Sequence, residues 1–306
     1  MTFPKNEEYY AEIKRYTRLL KSFPGNAHVL KARASCRALH SDWKRAVRDY
    51  KELAAILPNN AEILDKLGQV CVHAGLYEQA ITACTRAIVL DPKNPLPYMH
   101  RAWAYRKMKR WDASAADYTR AIALQPDLLI AYLYRAVAYK DSDKKTADLL
   151  EALKLNDKLS LLHYMLGREY EKADKNELAI ESFTRALKIA PEWYDIYRER
   201  YARYAAIGEY QAAIDDLSCF IDHQPSKASV IDWLAERGNL HCKIGEYDKA
   251  LEEYSKAIQY EKRYGGDFPW IIPGILQQRG KCYQALHEEE KAQADFKKAA
   301  KIISIS

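Results

Sequence analysis

The strongest constraint on this chain is a period. The sequence matches itself every 34 residues: a small residue, an aromatic four positions on, an alanine, then a closing proline. Ser114, Tyr118, Ala121 and Pro126 form one copy. Ala80, Cys84, Ala87 and Pro92 form another, as do Ala179, Phe183, Ala186 and Pro191, while Ala250, Tyr254 and Ala257 lack only the proline. About 12 residues upstream of each stands Gly68, Ala102, Gly167 or Gly238. A period of this length holds two helical segments, the second stopped by proline, which removes a donor and clashes with the preceding turn. One such hairpin cannot bury its apolar face alone. Neighbours must stack and share a continuous core.

Laid end to end, the copies are 27–60, 61–94, 95–128, 129–159, 160–193, 194–227, 231–264 and 273–306. The fourth is three residues short, and inserts fall at 228–230 and 265–272. Residues 1–26 match only the second half of a copy, through Tyr9, Tyr16, Leu19 and Pro24, and are expected to form a capping helix over a solenoid spanning 27–306. The repeat with Leu64, Leu67, Gly68, Cys71, Gly75, Tyr77, Ala80, Ala87 and Pro92 carries the register most fully. It resembles the tetratricopeptide repeat, W-x-x-L-G-x-x-Y followed by Ala, an aromatic, Ala and Pro. The resemblance covers nearly the whole chain. It implies an all-α fold: a right-handed α–α superhelix of eight helical hairpins with an N-terminal capping helix.

A pairing rule also runs through the repeats. Position 7 is Arg33, Leu67, Arg101, Arg135, Leu166, Arg200, Arg237 and Arg279; position 23 is Asp49, Ala83, Asp117, Asp148, Ser182, Asp216, Glu253 and Asp295. Every repeat with the arginine has the acid, and both without it lack the acid. This covariation predicts an ion pair between the two helices of each hairpin, bidentate by preference. Six copies along one array suit a structural clasp and not a catalytic arginine. In the short repeat the separation falls from 16 to 13, which places the deletion in the turn KDSDKK.

On the first helix of each repeat, positions 4, 7, 8 and 11 face the second helix. Positions 2, 5, 9 and 12, flanked by 6 and 13, form a second stripe. The resemblance implies that this second stripe lines a concave groove for extended peptides. In the first two repeats it reads His28, Lys31, Ala32, Ser35 and Glu62, Asp65, Lys66, Gln69, all polar or small. The third, fourth and fifth repeats carry an apolar patch with a basic border: Leu96, Met99, His100, Trp103, Arg106, Lys107; Ile130, Leu133, Tyr134, Val137, Lys140; and Leu161, Tyr164, Met165, Arg168, Lys172. The sixth to eighth return to polar residues. A patch of this kind marks an interaction surface. The expected partner is a protein or peptide with apolar and acidic residues. Trp43 and Trp111, at position 17, are read as packing residues.

The family includes a branch that clamps a chaperone's C-terminal carboxylate. Of the positions that branch uses, here Lys31, Ser35, Lys66, Leu96 and His100, only Lys31 matches, which argues against that ligand. RNA binding is the alternative reading, favoured by the basic border and by tyrosines able to stack on bases. Acidic residues in the second, sixth and seventh repeats interrupt any phosphate track, and a net charge of +6 is not a concentrated basic stripe.

No HExxH, P-loop, GxSxG or paired-cysteine spacing is present, so no enzyme, metal or cofactor is expected. HEEEK at 287–291 reads as a turn and helix start. The six cysteines form no CxxC pair and are expected as free thiols in a reducing cytosol. The start MTFPKNEEYYAEIKRY lacks the apolar core of a signal peptide, and no run suits a membrane span, so a cytoplasmic location with no membrane insertion is expected. The last repeat is more polar at Gln293 and Ala300, as a true end should be. Ile302, Ile303 and Ile305 leave a homodimer through the C-terminal end open. Phe268 and Trp270, in the second insert, are expected to fold back on the last repeats, with a weak second contact site as the alternative.

Overall fold

A computed structural model describes residues 5–224, 226, 228–264 and 271–304. Phe268, Trp270 and Ile305 lie outside the described residues. Among the described residues the regular elements are α-helices, apart from one short 3-10 turn at Ala228–Val230. The chain divides into two compact units, residues 1–157 and 158–306. The first holds α1 (Lys5–Ser22), α2 (Ala27–Leu39), α3 (Trp43–Ile56), α4 (Ala61–His73), α5 (Tyr77–Leu90), α6 (Pro95–Lys107), α7 (Trp111–Leu124), α8 (Leu129–Ala138) and α9 (Ser142–Leu155). The second holds α10 (Ser160–Lys172), α11 (Asn176–Ile189), α12 (Tyr194–Ala206), α13 (Tyr210–Asp222), α14 (Ile231–Lys243), α15 (Tyr247–Tyr264), α16 (Ile271–Ala285) and α17 (Glu289–Ile303).

Within each unit the helices pack as hairpins, α2 on α3 through α8 on α9 and α10 on α11 through α16 on α17, and each hairpin packs on the next. Local chemistry sets the boundaries. Asn26, Asn60 and Asn94 follow a proline by two residues, and each side chain accepts a first-turn N–H of the next helix. Most inner turns hold one residue at positive φ, for example Gly75, Gly208, Asp174 and His287, just past the end of the first helix. His287 therefore sits in a turn, and α17 begins two residues later.

Close approach within a hairpin relies on the small residue of the first helix. A Cβ built on Gly167 would lie 2.6 Å from Phe183 Cε1, and one on Gly238 would lie 2.8 Å from Tyr254 Cε1. The two rings are fully buried because the glycines leave room for them.

The arginine pairs are formed in all six repeats that carry them. Arg101 donates from Nε and Nη2 to Asp117 at 2.8 and 2.7 Å, and Arg135, Arg200 and Arg279 repeat the fork on Asp148, Asp216 and Asp295. Arg33 does the same on Asp49. Arg237 makes one bond to Glu253, at 2.9 Å, and its buried Nε has no partner. The extra methylene of glutamate carries the carboxylate out of fork register.

The structure adds a third partner that covariation of two columns did not reveal. Each arginine also donates from Nη1 to a hydroxyl in the preceding hairpin: Arg101 to Thr85 at 2.9 Å, Arg135 to Thr119 at 3.0 Å, Arg200 to Thr184 at 2.8 Å, Arg237 to Ser218 at 2.9 Å and Arg279 to Ser255 at 3.0 Å. Arg33 reaches Thr17 on α1 at 3.5 Å. The clasp thus joins neighbouring hairpins as well as the two helices of one. The rule extends to its absences. The residues before Leu67 and Leu166 at the hydroxyl position are Lys51 and Leu150. Where Lys51, Leu67 and Ala83 replace the clasp, a cavity of about 230 Å³ remains, lined also by Leu64, Cys71 and Arg86.

One expectation is corrected. The deletion in the short repeat does not fall in the turn. α8 has 10 residues where α6 has 13, while three residues separate the helices in both hairpins. The loss shortens the first helix, and Lys140 lies in the turn beyond it, off the helical stripe.

Candidate functional site

The candidate residues fall in both compact units, and each set is described within its own unit. In the first unit, four rings from four successive hairpins form a ladder. Trp43 stacks on His73, with centroids 4.3 Å apart and planes 14° apart. His73 meets Trp103 edge-on at 4.7 Å, and Trp103 lies 6.5 Å from Tyr134. The Arg106 guanidinium sits over the Tyr134 ring at 4.7 Å. Trp103 is half-buried against the core of the first hairpins, and its indole N–H has no partner. Burial, and after it the nearby His100, pulls the His73 imidazole below its usual range.

Beside the ladder, Ser35, Leu39, Trp43 and Tyr50 of one hairpin and Lys66, Gln69 and His73 of the next enclose an open cavity of about 360 Å³. The surface therefore reaches further toward the N-terminus than the equal-position reading placed it. Trp43, taken above as a packing residue, lines this cavity. Leu39 and His73 both stand at position 13, the flank of the stripe, and the ladder itself is diagonal. Its members stand about 30 residues apart, one helical turn less than the period, so each belongs to a different column.

The other first-unit candidates divide by exposure. Leu96, Ile130 and Val137 are exposed, at 42, 46 and 40%. Met99 is half-buried beside Tyr134 on a small cluster with Tyr118. Leu133 is buried and belongs to the core, not to a contact surface. His100 is tied by Nδ1 to the buried Asp65 at 2.7 Å. Lys66, Arg106, Lys107 and Lys140 have no carboxylate partner among the described residues; Lys66 donates only to Gln69. Lys140 joins Lys109, Arg110, Trp111 and Lys144 around an open cavity of about 490 Å³ at the turn end of the hairpins.

In the second unit the corresponding stripe is closed. Tyr164 packs against Trp193 at 4.8 Å and near Phe183. Arg168 is held by Glu199 at 2.7 Å and by Glu171 at 3.2 Å, and Lys172 by Glu169 at 2.6 Å. Leu161 remains exposed and Met165 half-buried. Ile303, at the end of α17, is 54% exposed.

Among the described residues no group of three or more His, Cys, Asp or Glu could hold a metal ion, and no helix is long and apolar enough to cross a membrane.

Comparison with known proteins bears on the fold. One family model described as tetratricopeptide repeat matches residues 97–128, 161–192 and 273–304, and a second of the same description matches 40–95. The C-terminal part of a repeat-containing protein from Cytophaga hutchinsonii aligns with a TM-score of 0.63 at 14% identity, over 75% of this chain and 95% of that one. A tetratricopeptide repeat protein from Parabacteroides merdae aligns at 0.53 and 18%, over 83% and 98%. YrrB, described as having an unusual peptide-binding site, aligns at 0.51 and 15%, over 60% and 97%. At these identities the likeness shows the fold alone. The family models and the paired helices agree: the chain is a tetratricopeptide-repeat protein.

Proposed function

We propose that the chain is a non-enzymatic interaction scaffold whose first unit holds an extended peptide of a partner protein. The observation that carries this reading is the ladder Trp43–His73–Trp103–Tyr134 with an open cavity beside it. Aromatic and arginine side chains in this setting are the types that dominate interface energies. The exposed Leu96, Ile130 and Val137 extend the apolar strip. Lys66, Arg106 and Lys107 face the peptide with unneutralised charge, and Lys140 adds to it from the turn beyond, so the fitting sequence alternates apolar or aromatic residues with Asp or Glu. Leu161, Tyr164, Met165, Arg168 and Lys172 contribute less, because their charges are already answered. YrrB's described peptide-binding site is consistent with this use of the fold.

The test is titration of fluorescent peptides, apolar–acidic against apolar–basic, at low and high salt. An apolar–acidic peptide should bind and retain most of its affinity at high salt. A single-stranded RNA that binds better, and loses affinity steeply with salt, would replace this reading with the nucleic-acid one. Ile130→Asp with Val137→Asp changes only exposed positions and should abolish peptide binding while leaving the fold intact.

A further inference from the structure

We propose that Cys242 and Cys282 form an oxidation-sensitive thiol pair, in which Cys242 reacts with a hydroperoxide and Cys282 closes a disulfide between neighbouring hairpins. The helices that carry them, α14 and α16, pack directly on each other. Cys242 packs against the buried cluster that contains Cys282. Their surroundings differ in the way a reactive and a resolving thiol must differ. Cys242 is half-buried and lines an open cavity of about 420 Å³ with Glu236, Lys243, Tyr254 and Gln278. Cys282 is 2% exposed, within the core cluster behind it.

The neighbouring Cys282 lowers the Cys242 thiol to about 7, with burial opposing and Tyr254, 3.6 Å away, assisting. Cys282 is pushed up by Cys242, and then by burial, so it keeps its proton. The remaining cysteines do not share this arrangement. Burial raises Cys36, Cys71 and Cys84. Cys219 is exposed but raised by partial burial and by the carboxylates of Asp216, Asp222 and Asp215.

The chemistry balances with hydrogen peroxide as oxidant. The Cys242 thiolate attacks one peroxide oxygen, the O–O bond breaks, and hydroxide leaves a sulfenic acid. The Cys282 sulfur then attacks the Cys242 sulfur as its proton passes to the departing hydroxide. The S–O bond breaks and water is released. Two thiols and one peroxide become one disulfide and two waters.

The experiment uses the reduced 306-residue chain treated with equimolar hydrogen peroxide, then alkylation and peptide mass spectrometry. The expected product is a Cys242–Cys282 cross-linked peptide with the other four thiols intact. In Cys282→Ala, Cys242 should instead be trapped by dimedone as the sulfenic acid. Alkylation of Cys242 by iodoacetamide should show a pH midpoint near 7. At pH 7 it should run about fivefold faster than an ordinary thiol, the thiolate gain being offset by lower nucleophilicity. Oxidation of Cys219 before Cys242, a disulfide to any other cysteine, survival of all thiols or an alkylation midpoint above about 8.5 would each overturn the proposal. The wild-type mapping needs no variant to fold.

Discussion

The two compact units are built from one repeat and treat the same stripe of their first helices in opposite ways. In the first unit, Arg106 sits on a ring and Lys107 has no carboxylate partner among the described residues. In the second, Glu199, Glu171 and Glu169 answer Arg168 and Lys172. The rings differ as well. Trp103 and Tyr134 belong to a ladder beside an open cavity, whereas Tyr164 packs onto Trp193. A repeat fold keeps its hairpin core constant and stores its differences on one face. What a region of the array can bind depends on whether its own acids have neutralised that face.

The comparison presumes that the clasps are equivalent scaffolding in both units, and that premise carries the largest expected effect. Arg101→Leu strands the buried Asp117 and should cost about 3–5 kcal/mol in urea unfolding. Arg101→Leu with Asp117→Ala should cost distinctly less. Arg200→Leu should behave the same way in the second unit. Equal losses for the single and double variants would show that the acid is not stranded.

Next in size is the binding contrast. Trp103→Ala with Tyr134→Ala should weaken an apolar–acidic peptide at least about 30-fold, since each ring is a hot-spot type. Tyr164→Ala with Met165→Ala should change it by less than about threefold. Equal effects would break the comparison, and circular dichroism checks that both variants remain helical.

Much of this was legible in the sequence, for a definite reason. The hairpins and clasps recur at fixed positions, so stacking equal positions exposes them. The loss of arginine and acid together at Leu67/Ala83 and Leu166/Ser182 carried the pairing before any coordinates. The hydroxyl partner was also present in the sequence, but in the preceding repeat, and inserts shift its spacing from 16 to 19 and 24. The ladder was missed because it crosses columns diagonally. Leu133 was misjudged as a contact because periodicity gives a direction, not a depth. The neutralisation of Arg168 by Glu199 joins two repeats and cannot be read from either alone.

A smaller effect sharpens the charge side. Lys107→Glu with Lys140→Glu should lower affinity for an acidic peptide about three- to tenfold, less at high salt. Glu199→Gln with Glu171→Gln, which together free Arg168, should raise binding to the stripe of the second unit, measured by cross-linking and mapping. The smallest effect is a repair. Lys51→Thr, Leu67→Arg and Ala83→Asp together rebuild the missing clasp, and stability should change by about 1 kcal/mol or less, because desolvation offsets the new bonds.

The missing clasp has a further consequence. Cavities of about 230 and 360 Å³ flank α4 on opposite sides, and both lie against α3. The α3–α4 joint is therefore indented from two directions, and it lacks the arginine–hydroxyl bond that ties the other joints of the first unit. In an array whose members grip only their neighbours, tension is shared equally and rupture starts at the weakest joint. Stretched between its ends in a force microscope, the first unit should tear first between Ile56 and Asn60, and a guest seated beside Trp43 should act as the rivet that raises that force.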